Sequence, residues 1–133
     1  MNSAAVDQLG FSIEGDVLRA GDAGYDEART IWNAMIDKRP ALIARCRNAT
    51  DVRAAVRFAR DNGLLVSVRG GGHNVAGNAI CDDGLMIDLS LMKEVQIDKA
   101  AARVKVGGGA TLGDLDRATY AEGLAVPAGI VSE

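Results

Sequence analysis

Apolar positions along this chain change their spacing several times, and each change marks an element. The first twenty residues carry little pattern, and GDVLRAGDAGYDEAR, residues 15–29, predicts a short extended piece and a turn. From Tyr25 the spacing becomes helical: Tyr25, Ala28, Trp32, Met35 and Ile36 share one face. Asp22 or Gly24 opens this predicted helix. Arg39-Pro40 ends it, because the residue before a proline is pushed out of the α region. Trp32 is then expected as a core or docking side chain.

A tighter pattern follows. ALIARC, 41–46, is an apolar run suited to a strand. NATDVRAAVRFARDNG, 48–63, predicts a helix with Thr50 as N-cap and Asp51 at the positive end of the dipole. Val52, Ala55, Val56 and Ala59 form its apolar stripe. Arg57 and Arg60 lie in its last turns, and Gly63 takes the left-handed C′ position. LLVSV, 64–68, is a second strand, so strand, helix and strand make a βαβ unit with parallel strands. LMIDLSLM, 85–92, is a third, entered through the turn Asp82-Asp83-Gly84. EVQID and ARVKVG predict an antiparallel hairpin around KAA, with Val95, Ile97, Val104 and Val106 alternating. Thr111 with Asp114 caps a last helix, Leu112 and Leu115 face inward, and Gly123 stops it. LAVPAGIVSE is extended and either packs as an edge strand or leads into further structure. The chain therefore reads as the front of a longer one, or as one completed by a partner.

Composition narrows the classes. With 133 residues, 48% of them hydrophobic, the chain is long and apolar enough for one folded domain. Aromatics at 4% argue against a base-stacking platform, and eighteen acids against fifteen bases give no field for a phosphate backbone, so no nucleic-acid partner is expected. Cys46 and Cys81 form no CxxC and read as free thiols. The N-terminus has no secretory pattern and no apolar run approaches a membrane span. A soluble, cytoplasmic protein without a membrane partner is expected.

The chemistry concentrates in SVRGGGHNVAG, 67–77, where three glycines precede the only histidine. The loop leaves the carboxyl end of a parallel strand, the edge at which open α/β folds bind ligands. Glycines let a ligand approach the main chain, successive N–H groups make an anion nest, and Arg69 adds a cation. The Rossmann fingerprint fails, since the sixth place from Gly70 is Val75 and from Gly107 is Leu112; no Gly-Lys pair supports a P-loop. No metal set surrounds His73, and Ser67, Asp82 and Asp88 lack a nucleophile elbow. Spacing alone leaves two readings, an anion-friendly loop or a sharp turn, with His73 as a nucleophile or a cofactor contact.

SVRGGGHNVAG resembles the first flavin-binding loop of the FAD-linked oxidases of the berberine-bridge-enzyme type, within the vanillyl-alcohol-oxidase superfamily. The similarity runs from about Gly24 through the βαβ unit, and VKVGGGATLGDLDRATYAEGLAVPAGIVSE resembles the stretch that follows. The resemblance implies an α+β, PCMH-type FAD-binding domain. Residues 1–39 form an N-terminal segment with a helix, 40–92 the first lobe, and 93–133 the start of the second. It implies that Arg69, Gly70, Gly71, Gly72, His73 and Asn74 wrap the FAD pyrophosphate, with Gly77 in the same loop. His73 matches the histidine bonded to the flavin 8α-methyl, and Pro127, Gly129 and Val131 match the segment beside the flavin. Cys46 and Cys81 do not match the cysteine of a second covalent link. The implied reaction is hydride removal from an alcohol, sugar or activated C–H, with reoxidation by oxygen. The family's catalytic base and substrate pocket lie beyond the segment matched here, so no catalytic residue is assigned. The competing expectation is a nucleotide- or phosphate-binding, or dimerising, module without turnover. Self-association or a completing chain is expected under either reading.

Overall fold

The computed structural model describes residues 3–129, 131 and 132. A four-stranded sheet forms its centre, with β1 (Asp16–Leu18), β2 (Leu42–Arg45), β3 (Val66–Arg69) and β4 (Leu85–Asp88) in the order β1-β2-β4-β3. β2, β4 and β3 are parallel, and β1 runs antiparallel to β2. The βαβ strands are parallel as the pattern predicts, but β4 is inserted between them. All four residues of β4 are buried, which is why it reads as an unbroken apolar run ending in one carboxylate.

Helices α1 (Ser3–Ser12) and α3 (Ala49–Asp61) cover one face. Val6, Leu9 and Ile13 pack there with Leu42, Ala44, Ala55, Ala59, Leu85 and Ile87. Tyr25, Ala28, Ile31, Ala79 and Ile80 cover the other face, against Ile43 and Met86. Buried Asp51 ties the first face together: its carboxylate accepts from the N–H groups of Glu14 at 3.0 Å, Gly15 at 3.2 Å and Arg47 at 2.9 Å. Beyond the sheet, β5 (Val95–Asp98) and β6 (Arg103–Val106) form the predicted hairpin, and α4 (Leu112–Ala121) follows with the Thr111–Asp114 capping box in place. Gly63 and Gly123 are left-handed at the ends of α3 and α4, as their positions predict.

Several expectations are corrected. The helix from Tyr25 to Arg39 is a single turn, α2 (Tyr25–Ala28). Beyond it the Trp32 N–H donates to the Gly72 carbonyl, and the Asn33 side chain captures the Met35 N–H. Such side-chain bonds compete with the helix ladder. Arg29 pairs with both Asp26 and Asp37 and folds the segment back on itself. Trp32 is 67% exposed and is therefore not a core residue. The N-cap of α3 is Asn48, whose side chain accepts from Thr50 and Asp51, and Val56 points to solvent. Helix α1 has no counterpart in the pattern because only Val6 and Leu9 of its ten residues are buried. Residues 124–129 join no strand. No described helix is long and apolar enough to cross a membrane.

Candidate functional site

The carboxyl ends of the three parallel strands carry a charged row. Strand register sets Arg45 and Arg69 on either side of Asp88, two residues beyond the buried level of Ile43, Met86 and Ser67. Asp88 is 1% exposed, with Arg45 Nε 3.5 Å from one carboxylate oxygen and Arg69 Nη1 3.8 Å from the other. The Ser90 N–H donates to the same carboxylate at 3.0 Å. Arg69 also donates to the Ala28 carbonyl at 3.1 Å, so its guanidinium turns beneath α2 instead of outward along the loop. A cavity of about 210 Å³ opens here between Glu27, Arg45, Arg69 and Ser90. Among the described residues, the Nε atoms of both arginines in this row are buried without a hydrogen-bond partner.

The glycine loop rises from Arg69. Gly72 and Gly77 hold φ of 76° and 73°, which L side chains seldom adopt. Gly71 and Asn74 are exposed, Gly72 and Gly77 buried, and His73 half-buried. The turn closes through Gly77 N–H to the Asn74 carbonyl at 3.0 Å and Asn78 N–H to the Asn74 side chain at 2.9 Å. Among the described residues, the N–H groups of Gly70, Gly71, Gly72, His73 and Asn74 have no acceptor. Five successive donors without partners form the kind of concavity that an anion satisfies.

Two neighbours of the loop are not legible in its own sequence. A Cβ on Gly70 would lie 2.6 Å from the Gly108 carbonyl oxygen, so the second glycine run, 107–109, abuts the first. Its own glycines sit against the 89–92 turn: a Cβ on Gly109 would meet the Leu89 carbonyl at 1.6 Å. The other neighbour is the 29–39 segment, whose Trp32 ring stacks on His73 with centroids 5.9 Å apart. A repeated GGG is the one signal that could have paired the glycine runs; nothing local announces the Trp32 contact.

Pro127, Gly129 and Val131 are exposed. Gly113 N–H donates to the Ser132 carbonyl at 2.9 Å, and Gly129 sits against Leu112. No hydrogen bond joins this segment to the glycine loop among the described residues; Ile130, within it, lies outside them. Cys46 and Cys81 are both buried free thiols, and no group of three His, Cys, Asp or Glu among the described residues is placed to hold a metal ion. Burial, with Asp51 and Asp88 nearby, pushes the Cys46 thiol up to about 12, so it stays protonated.

Residues 40–132 match the family model of an FAD binding domain. The chain belongs to that FAD-binding domain family. This domain is 46% identical over 120 residues to (R)-6-hydroxynicotine oxidase of Paenarthrobacter nicotinovorans, covering 90% of this chain and 26% of that protein. An FAD-linked oxidoreductase of Dictyostelium discoideum is 39% identical over 128 residues, covering 96% and 28%. The crystal structure of 6-hydroxy-D-nicotine oxidase from Arthrobacter nicotinovorans superposes with a TM-score of 0.87 at 45% identity, over 91% of this chain and 27% of that one. A berberine-bridge-enzyme-like protein of Physcomitrella patens gives 0.84 at 28% identity, over 93% and 28%. The FAD-binding domain thus spans about a quarter of the length of these relatives. Its own residues fit the cofactor: among the described residues the N–H groups of 70–74 lack acceptors and suit a pyrophosphate.

Proposed function

We propose that this FAD-binding oxidoreductase domain holds the FAD pyrophosphate on the backbone of Arg69, Gly70, Gly71, Gly72, His73 and Asn74. The observation that supports this most is the run of five N–H groups without an acceptor among the described residues, beside the only imidazole of the chain. Gly77 completes the loop by closing its turn on Asn74. Arg69 acts from beneath, holding the loop's base on Asp88 and Ala28. Pro127, Gly129 and Val131 line the path of the flavin, on the strength of the family resemblance.

His73 is the covalent attachment point in this reading. The bond from an imidazole nitrogen to the flavin 8α-carbon replaces one methyl C–H and the imidazole N–H. The two hydrogens displaced in forming that bond would leave as hydrogen peroxide, with dioxygen as the oxidant. The chain's part is to present the imidazole; the redox chemistry is the cofactor's. When bound, FAD supplies hydride acceptance from an alcohol, a sugar or an activated C–H, with reoxidation by oxygen. The relatives include proteins named for hydroxynicotine and carbohydrate oxidation, so cyclic amines and oligosaccharides belong in a substrate panel beside simple alcohols. In this reading residues 40–92 form one lobe and 93–133 begin the next, and the sheet begun by β5 and β6 is extended by further polypeptide or a partner chain.

Titration of the chain with FAD and with ADP tests the loop. Binding of both, each weakened at least about 10-fold by Gly71→Glu through charge repulsion and lost access, is the expected result. Equal affinity in the variant removes the loop from pyrophosphate binding. Bound FAD without peroxide release from any substrate places the chain in the class of a binding module.

A further inference from the structure

Residues 29–39 lie outside the stretch that matches the family model, 40–132. Yet the segment holds the glycine loop along its whole length. The Trp32 N–H donates to the Gly72 carbonyl at 3.2 Å, and the Asn33 side-chain amide donates to the Val75 carbonyl at 2.9 Å, so the two bonds bracket His73. Lys38 Nζ donates to the carbonyls of Gly77 at 3.2 Å and Ile80 at 3.3 Å. Ile31 and Ile36 fill the space beside Gly72 and Gly77, where a Cβ would lie 3.6 Å and 2.8 Å from them.

Over His73 lies the Trp32 indole, with ring centroids 5.9 Å apart and planes inclined by 27°. Trp32 is 67% exposed, so burial contributes little to holding it there. Its backbone bond to Gly72 and its face contact with the imidazole are what fix it. A side chain that leaves most of its surface in water while covering one face of another ring serves that ring more than the core.

We propose that residues 29–39 form a clasp that sets the ring plane of His73, with Trp32 as the positioning residue. Its purpose rests on the flavin reading above. An imidazole that must meet one fixed carbon has to be held within about 10–20° of the productive orientation. The glycines that admit the cofactor leave the loop too free to do this alone. The clasp supplies the missing restraint from outside the loop.

Trp32 and His73 are the only residues of their kinds, so their signals are unambiguous. In the wild-type chain without cofactor, NMR should find the His73 ring protons shifted upfield by the indole, and the Gly77 and Asn78 amides protected from exchange. Trp32→Ala should return the ring protons to free-imidazole positions and speed exchange of both amides, while Trp32→Phe retains most of both effects. With FAD added, Trp32→Ala should slow acid-stable flavin attachment about 3- to 10-fold, the scale of one aromatic contact, with Trp32→Phe restoring it. Non-covalent FAD affinity should change less than about 2-fold, as expected for an effect on orientation alone. Unshifted His73 protons in the wild type, or unchanged amide exchange in Trp32→Ala, overturn the clasp. Equal attachment rates in wild type and Trp32→Ala overturn the positioning role. A wild type that binds no FAD defeats the flavin reading instead, and the ring shifts and exchange then decide the clasp.

Discussion

Gly77→Ala probes the fit between the clasp and the loop quantitatively. Two penalties meet at this position. At φ of 73°, a residue bearing a Cβ loses about 1–2 kcal/mol relative to glycine. The new methyl would also lie 2.8 Å from Ile36 Cγ2 and 2.9 Å from its Cγ1, a contact that overpacking places at about 1–3 kcal/mol. The sum is about 2–5 kcal/mol, a large share of a small domain's stability. Ile36→Ala, at a half-buried position, costs about 1–2 kcal/mol by itself. The double variant loses the clash and keeps the backbone penalty, so it should be more stable than additivity requires by about 1–3 kcal/mol. Urea unfolding followed by Trp32 fluorescence and by far-ultraviolet circular dichroism measures all four corners of the cycle. Additivity within about 0.5 kcal/mol would refute the contact between Ile36 and Gly77, and with it the seating of the clasp.

Other consequences can be checked on the same chain. Asp51→Ala removes three part-buried hydrogen bonds to one buried carboxylate and should destabilise the chain by about 3–5 kcal/mol in urea unfolding, whereas Val56→Ala, on the exposed face of the same helix, should stay within about 1 kcal/mol. Cys46, held at about 12 by burial, should resist a disulfide reagent at about pH 8 until denaturant is added; prompt labelling in the folded chain would contradict its burial. The Thr111 N–H and hydroxyl hold the Asp114 carboxyl below its ordinary value. A depressed folded pKa means that the capping box stabilises α4 above the unfolded carboxyl value, about 3.9, and loses that contribution as pH falls through the lower folded value. Asp114→Asn should therefore flatten the acid limb of the stability profile, and an unchanged limb would count against the box.

Much of the first sheet is readable in the chain because parallel strands covered on both faces leave unbroken apolar runs, as in Leu42–Ala44 and Leu85–Ile87. The ends of α3 and α4 were marked by Gly63 and Gly123 at left-handed positions. What local pattern did not reveal depends on distant partners. The apolar spacing of Tyr25, Ala28, Trp32 and Ile36 mimics a helix, but these side chains serve three different places: the core, the His73 ring and the Gly77 slot. The insertion of β4 between β2 and β3 is a property of sheet order that no single segment encodes. At the site, the glycine run and its histidine stand out in the sequence, but spacing alone leaves an anion-friendly loop and a sharp turn both open. The approach of Gly108 to Gly70 was not evident, since 34 residues, 73–106, lie between the two runs. Arg69 read as a cation for the loop, whereas buried Asp88, one strand away, and the Ala28 carbonyl draw its guanidinium beneath α2.

In the proposed reading the 70–77 loop cradles a flavin and His73 tethers it. Peptide mapping of the chain after incubation with FAD in air tests this reading most directly. Trypsin releases Gly70–Lys93, which contains the only histidine. This peptide should carry the mass of one FAD less two hydrogens, with fragment ions that place it on His73, and His73→Ala should yield only the unmodified peptide. An unmodified Gly70–Lys93 from chain that has bound FAD, or flavin found on any other peptide, would contradict it.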